Sequence, residues 1–272
     1  MSLDGLDDVA RWPGRHRAAG WRRVDGTKAA VGDINRTFPL ASVTKLLTAT
    51  AALVAVQEEI LDLDEPAGPA RATVRMLLSH ASGLPGEGDE PIAAPGLHRL
   101  YSNTGFECVG ALLAERSGVP VDRYVTEAVL DPLRMTSTVL HDSAATGADS
   151  TLSDLLRLAG ELLSPGRVLA PEILAEAITP QYGTLNGVLP GFGRQTPNSW
   201  GLGFELHGTK APHWMPPGSA PNTFGHFGQS GAFLWIDPEA GVACAAVGDR
   251  PFGDWAVTAW PKLGAAVLAA SR

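Results

Sequence analysis

The chain has 272 residues, 44% of them hydrophobic and 18% charged, with a formal net charge of −8. That length and balance support a buried core and exclude a disordered or fibrous chain. The acidic balance, with no long run of like charge, excludes a basic nucleic-acid interface.

The N-terminal "MSLDGLDDVARWPGRHR" lacks the apolar h-region of a secretory signal, so a cytoplasmic location is expected, unless a natural leader has been trimmed ahead of Met-Ser-Leu. Residues 4–17 suggest a short helix, and Asp25-Gly26 between two strand-like runs predicts a hairpin. From Ser42 to Ile60 the alanine- and leucine-rich run has no glycine or proline and is apolar on nearly every face, which predicts a buried central helix. Its longest apolar stretch, "LLTATAALVAV", is too short to span a bilayer.

Between about 66 and 180 the chain reads as helices separated by Gly/Pro punctuation, with Ser153 and Asp154 as cap and first-turn residues of one of them. The stretch from 181 to 225 is rich in Gly, Pro and Asn and predicts a long loop region with a strand at "SWGLGFEL". A loop of that length inside a compact domain is often functional. Two strands joined by an "IDPEAG" turn follow, and then a C-terminal helix that Pro261 should kink or restart. Cys108 and Cys244 each sit in an apolar stretch and are expected to be free thiols. The order predicts a single α+β domain over 1–272, an antiparallel sheet flanked by helices with an inserted all-helical lobe. The α/β lobe takes about 1–65 plus 181–272, and the helical lobe about 66–180.

Three short motifs carry chemistry. In "FPLASVTKLL", Ser42 stands where an extended segment gives way to helix, and Lys45 lies one turn on, on the same face. A serine hydroxyl needs a proton acceptor to become a nucleophile, and a lysine in a dry pocket can be that acceptor. Lys45 is the only lysine between Lys28 and Lys210, and its apolar surroundings argue against an exposed helix position. In "LYSNTG", Tyr101 and Asn103 are two apart ahead of a helix, where both could face one cleft, with Tyr101 a candidate base beside a lysine cation. In "FGHFGQSG", glycines ahead of an apolar strand allow close approach of a ligand and an amide aimed at a developing oxyanion. Taken alone, a capping serine, an exposed lysine and a structural tyrosine would also satisfy these spacings.

In this order the motifs resemble the serine β-lactamase and penicillin-binding-protein superfamily, in the branch of class C β-lactamases, D-alanyl-D-alanine carboxypeptidases and related esterases. "MLLSHASGLPG", "DPLRMTST" and "GHFGQSGAFLWIDPEAGVA" are similar to family segments in family order. The resemblance implies a β-lactamase/transpeptidase-like fold with Ser42 as the acylated nucleophile, Lys45 as proton acceptor or electrostatic partner, and Tyr101 as general base. It further implies that Asn103 holds the substrate's carbonyl side and that His226, Phe227 and Gly228 form the third motif. The N–H groups of Ser42 and Gln229 would form the oxyanion hole, Lys45 and Tyr101 would titrate as a coupled pair, and His80 would be structural.

The sequence departs from that pattern at Phe227, where the family often has a hydroxyl residue that helps to bind a carboxylate. With a phenylalanine there and a neutral histidine beside it, the anion site is weakened. The expected activity is therefore hydrolysis of a small-molecule ester, small or apolar, ahead of β-lactam or D-Ala-D-Ala amide substrates. A non-catalytic binding protein on the same scaffold is the alternative of another class. No cofactor is called for, and His207 and His213 match no metal-ligand spacing. Trp200, Trp214 and Phe192 are candidates for an acyl pocket or for packing over the sheet edge. Substrate identity and oligomeric state are not readable from these residues.

Overall fold

A computed structural model describes residues 5–271. A short 3₁₀ helix (Asp7–Arg11) leads to β1 (Arg17–Arg23) and β2 (Lys28–Gly32), paired antiparallel across the Asp25-Gly26 turn. The helix expected over 4–17 is thus one turn long, because Pro13 and Gly14 end it and the chain enters β1 at Arg17; residues 1–4 lie outside the described residues. Next come β3 (Phe38–Pro39), a 3₁₀ turn (Ala41–Val43) and α1 (Thr44–Gln57). α1 is buried from Thr44 through Ala55, as its all-round apolar pattern requires.

The middle of the chain holds α2 (Val74–Leu78), α3 (Asn103–Ser117) and α4 (Val121–Val125), which runs through a π turn (Thr126–Leu130) into α5 (Asp131–Leu133). β4 (Val139–Leu140) and β5 (Ala148–Ser150) follow, then α6 (Leu152–Leu163) and α7 (Pro171–Ala177). This region is not all helical. β3, β5 and β4 form a three-stranded antiparallel sheet, and strands of two or three residues leave no periodicity to read. α6 is capped by Thr151, whose hydroxyl accepts the N–H of Asp154; Ser153 instead reaches across to Ile34 and Asn35.

The expected loop of 181–225 contains a small hairpin of β6 (Gly187–Leu189) and β7 (Gly193–Gln195), and the strand β8 is confined to Glu205–Leu206. β9 (Phe224–Phe227), β10 (Phe233–Asp237) and β11 (Val242–Gly248) complete a six-stranded antiparallel sheet in the order β2-β1-β11-β10-β9-β8. The third motif therefore lies on a strand and at its end, not ahead of the apolar strand alone.

The sheet separates two cores. Leu234, Ile236, Ala243 and Ala245 face the one that includes α1 and α6, while Phe233, Trp235, Cys244 and Ala246 face α8 (Asp254–Ser271). Burial on both faces is why β10 and β11 read as continuous apolar runs. α8 runs unbroken through Pro261: the missing N–H costs one internal bond, and burial of Trp260, Leu263, Val267 and Leu268 on either side holds the helix together. Cys108 and Cys244 are free thiols. No described helix is long and apolar enough to cross a membrane.

Candidate active site

Ser42 sits on the 3₁₀ turn just ahead of α1, preceded by Ala41 in the left-handed region at φ 46°. A non-glycine residue reaches that conformation only where its surroundings impose it. They do so here because β9 ends against this turn. A Cβ on Gly228 would stand 2.2 Å from the Leu40 carbonyl oxygen and 3.2 Å from the Ser42 nitrogen, so only glycine fits. Among the described residues neither the Ser42 N–H nor the Gln229 N–H has an acceptor. Both residues border one cavity of about 110 Å³, together with Tyr101, Asn103, His226 and Phe227. The six residues come from α1's approach, the start of α3 and the end of β9.

Lys45 lies below that cavity with no exposed surface. Its Nζ is 3.5 Å from Ser42 Oγ, donates to Asn103 Oδ1 at 2.7 Å and to the Ala145 carbonyl at 3.1 Å. Burial pulls the ammonium down to about 7, against the opposing pull of Glu107 and Glu87. Asn103 passes the contact outward, its Nδ2 donating to Glu87 Oε1 at 2.7 Å.

Tyr101 is held from both sides by His80. The N–H of Leu100 donates to the His80 carbonyl at 3.0 Å, and that of Ser102 donates to His80 Nδ1 at 3.1 Å. The two rings lie 4.6 Å apart, and Trp200 meets His80 edge-on at 4.5 Å. Because Nδ1 accepts, the neutral imidazole carries its proton on Nε2, and burial holds the pKa of His80 well below its ordinary value. Burial pushes the Tyr101 hydroxyl above its ordinary range, with a hydrogen bond to Ser42 pulling the other way. Lys45 Nζ stands 4.9 Å from the centre of the Tyr101 ring, yet the tyrosine is not made more acidic than usual. The expectation of an easily ionised Tyr101 is corrected: desolvation outweighs the nearby amine, whose own charge burial has already weakened.

His226 is buried, with Nδ1 2.7 Å from the Phe227 carbonyl oxygen and Nε2 unpartnered. Burial, assisted by repulsion from Lys45, brings its pKa down to about 3, so it supplies no cation. Phe227 borders the cavity, but its ring belongs to the core on the α8 side, 5.0 Å from Phe252, 5.6 Å from Trp214 and 5.8 Å from Trp260. Alternation along β9 explains the split: His226 turns toward Tyr101 and Trp200, and Phe227 turns the other way.

A buried polar cluster behind this wall was not anticipated. Glu205, at the cavity's edge, accepts from Lys210 Nζ at 2.7 Å, His213 Nε2 at 2.8 Å and Trp214 Nε1 at 2.8 Å. Burial alone would raise its pKa, but Lys210 and His213 outweigh that and hold the carboxylate well below the usual range. His213 accepts the Met215 N–H on Nδ1 and is thereby fixed as a neutral donor to Glu205, its pKa brought down to about 4 by burial. The one available signal was the isolated charge in "WGLGFEL", a glutamate within an apolar strand run, five residues before a lysine. Of the aromatic candidates in the loop, Trp200 borders the cavity, while Trp214 and Phe192 pack with Phe227. Leu189 and Pro190, from the β6–β7 hairpin, also border it. Among the described residues no group of histidine, cysteine and acidic side chains is arranged to hold a metal ion.

A serine over a desolvated lysine, on a turn that meets the end of β9, with two N–H groups that have no acceptor among the described residues, is the arrangement of the penicillin-recognising fold class. Residues 12–269 match the Beta-lactamase family model, and the chain belongs to that family. A β-lactamase structure from Mycobacterium bovis (Mb2281c) is 47% identical, with a TM-score of 0.96 over 98% of this chain and 99% of that one. A Pseudomonas fluorescens protein named beta-lactamase is 25% identical over 80% of each chain. The structure of EstCE1, described as a hydrolase with promiscuous acyltransferase activity, shares the fold at 17% identity, with a TM-score of 0.78 over 98% and 96% of the two chains.

Proposed function

We propose that the protein is a serine hydrolase that acts through an acyl-enzyme on Ser42 and prefers neutral esters. The observation that carries this reading is Lys45: a buried amine with a pKa of about 7, 3.5 Å from Ser42 Oγ, is a base ready at neutral pH. Neutral Lys45 takes the Ser42 proton as Oγ bonds to the ester carbonyl carbon. The carbonyl oxygen, now negative, is received by the N–H groups of Ser42 and Gln229. The tetrahedral species collapses with loss of the alcohol, which regains a proton from the Lys45 ammonium by way of Tyr101. Water then attacks the acyl group, its proton returning through the same pair, and Ser42 is released. Tyr101, kept protonated at rest, serves as the relay, with Asn103 fixing the lysine and the carbonyl side of the substrate.

Preference for a neutral substrate is supported by the third motif. His226 is uncharged, Phe227 offers no hydroxyl, and Lys210, the nearest further lysine, is committed to Glu205. A carboxylate in the cavity would find no free cation there. Hydrolysis of β-lactams is the second reading, favoured by the name of the 47% identical Mycobacterium bovis protein. Comparing p-nitrophenyl acetate and butyrate with nitrocefin decides between them: esters turned over with nitrocefin inert is the expected result, and the opposite ranking overturns the preference. Ser42→Ala should abolish turnover and labelling by a fluorophosphonate at an almost unchanged melting temperature; turnover that survives excludes Ser42 as the nucleophile.

A further inference from the structure

The cavity over Ser42, at about 110 Å³, is smaller than the roughly 300–1,000 Å³ of ordinary small-molecule sites. It accommodates a scissile ester with a short acyl group and little else. A second hollow, of about 530 Å³, adjoins it and shares Tyr101 and Pro190 as walls. Its other sides are mostly apolar, formed by Pro85, Ile92 and Leu100 on the approach to α3 and by Val188 on the β6–β7 hairpin.

Two of its wall residues are among the most exposed large apolar side chains described: Ile92 is 66% exposed and Val188 63%. Unpaired apolar surface next to a reactive centre marks a place for an apolar ligand. The groove is also preformed. Arg99 N–H donates to the Asn186 carbonyl at 3.0 Å and bridges to Gly187, tying the hairpin to the segment that carries Tyr101. The Arg99 guanidinium is spent on the carbonyls of Ser79, Gln181, Tyr182 and Asn198, so it braces the floor and does not face the groove as a free cation; the polar part of the lining is at its rim, with the exposed His98 and Arg194.

We infer that this groove binds the alcohol portion of the substrate, and that the protein acts on short-chain acyl esters of larger apolar alcohols. The inference rests on the ester chemistry proposed at Ser42. The departing alkoxide must receive its proton at Tyr101, so the alcohol lies on the Tyr101 side of the reacting carbon, and that is where the groove opens. The acyl group is left with the small cavity between Trp200, Leu189 and His226.

Two ester series test it on the whole protein. From ethyl to octyl acetate kcat/KM should rise about ten- to hundredfold, as added methylenes leave water. From ethyl acetate to ethyl octanoate it should not rise. Val188→Asp and Ile92→Asp, exposed positions where a charge does not disturb a core, should remove most of the octyl-to-ethyl preference. A flat alcohol series, an equal rise with acyl length, or a preference that survives both substitutions overturns the inference. Calorimetric binding of 1-octanol is read in parallel and does not depend on Ser42. If no ester is hydrolysed, the proposed chemistry falls, and the groove is still decided by octanol: binding that Val188→Asp abolishes supports it, and absent or unaffected binding overturns it.

Discussion

Lys45 donates to Asn103 Oδ1 at 2.7 Å and stands 3.5 Å from Ser42 Oγ, so in the resting protein the amine is held by the amide and only poised toward the serine hydroxyl. The Asn103 amide in turn donates to Glu87, which connects an exposed carboxylate to a buried amine, the base of the proposed mechanism. The base must be neutral to accept a proton. The rate of acylation, read as kcat/KM for a p-nitrophenyl ester, should therefore climb with pH through a midpoint near Lys45's value of about 7. Glu87 pulls that value upward, so Glu87→Gln should move the midpoint to lower pH, by a few tenths of a unit because water screens an exposed carboxylate. A midpoint that stays in place or moves upward would remove Glu87 from the circuit.

Tyr101→Phe keeps the ring on its His80 support and deletes only the hydroxyl that contacts Ser42. Turnover of esters should fall by about two to four decades, with the melting temperature nearly constant. Less than a tenfold loss in steady-state assays would mean that Lys45 exchanges protons with the leaving group directly.

Glu205→Leu should destabilise the protein by about 3–5 kcal/mol in urea unfolding at pH 7, because it strands the buried Lys210 ammonium. Adding Lys210→Met should recover part of that loss, the signature of a coupled pair. The pH dependence follows from the depressed carboxylate: its contribution is full above the ordinary glutamate value of about 4.3 and fades as pH falls below it. The gap between wild type and Glu205→Leu should accordingly narrow between pH 6 and pH 3. A gap that widens on acidification contradicts the assignment.

Phe227→Ala should cost about 3–5 kcal/mol, the range for a truncated core phenylalanine, since the ring fills the cluster of Phe252, Trp214 and Trp260. Denaturant midpoints measure this directly. A near-neutral change would return the side chain to the substrate's side of the wall.

Much of the site was legible because its parts are local. Ser42 and Lys45 are one helical turn apart, Tyr101 and Asn103 two residues apart, and His226 to Gln229 consecutive, so chain geometry alone constrains each group. The order of the three motifs carried the resemblance, and the order of the predicted elements carried the expectation of a shared antiparallel sheet. The short strands β4 and β5 escaped because two- and three-residue strands have too few positions for a pattern, and the β6–β7 hairpin within 181–225 because only its partners define it, while the strand expected at "SWGLGFEL" is present but shrinks to β8.

What the sequence determined by itself is therefore which groups could meet: a serine, a lysine and a tyrosine for acyl transfer, and a phenylalanine where an anion site would need a hydroxyl. Tertiary structure alone decided their states. Lys45 has its pKa brought down to about 7, and the Tyr101 hydroxyl is kept protonated, because packing removes water from both. Phe227 turns into the second core because β9 is buried on both faces. Glu205, Lys210, His213 and Trp214 bind one another only because β8 and the loop beyond it fold back over the sheet edge. Desolvation and facing are properties of what surrounds a residue, and most of those surroundings are distant in the chain.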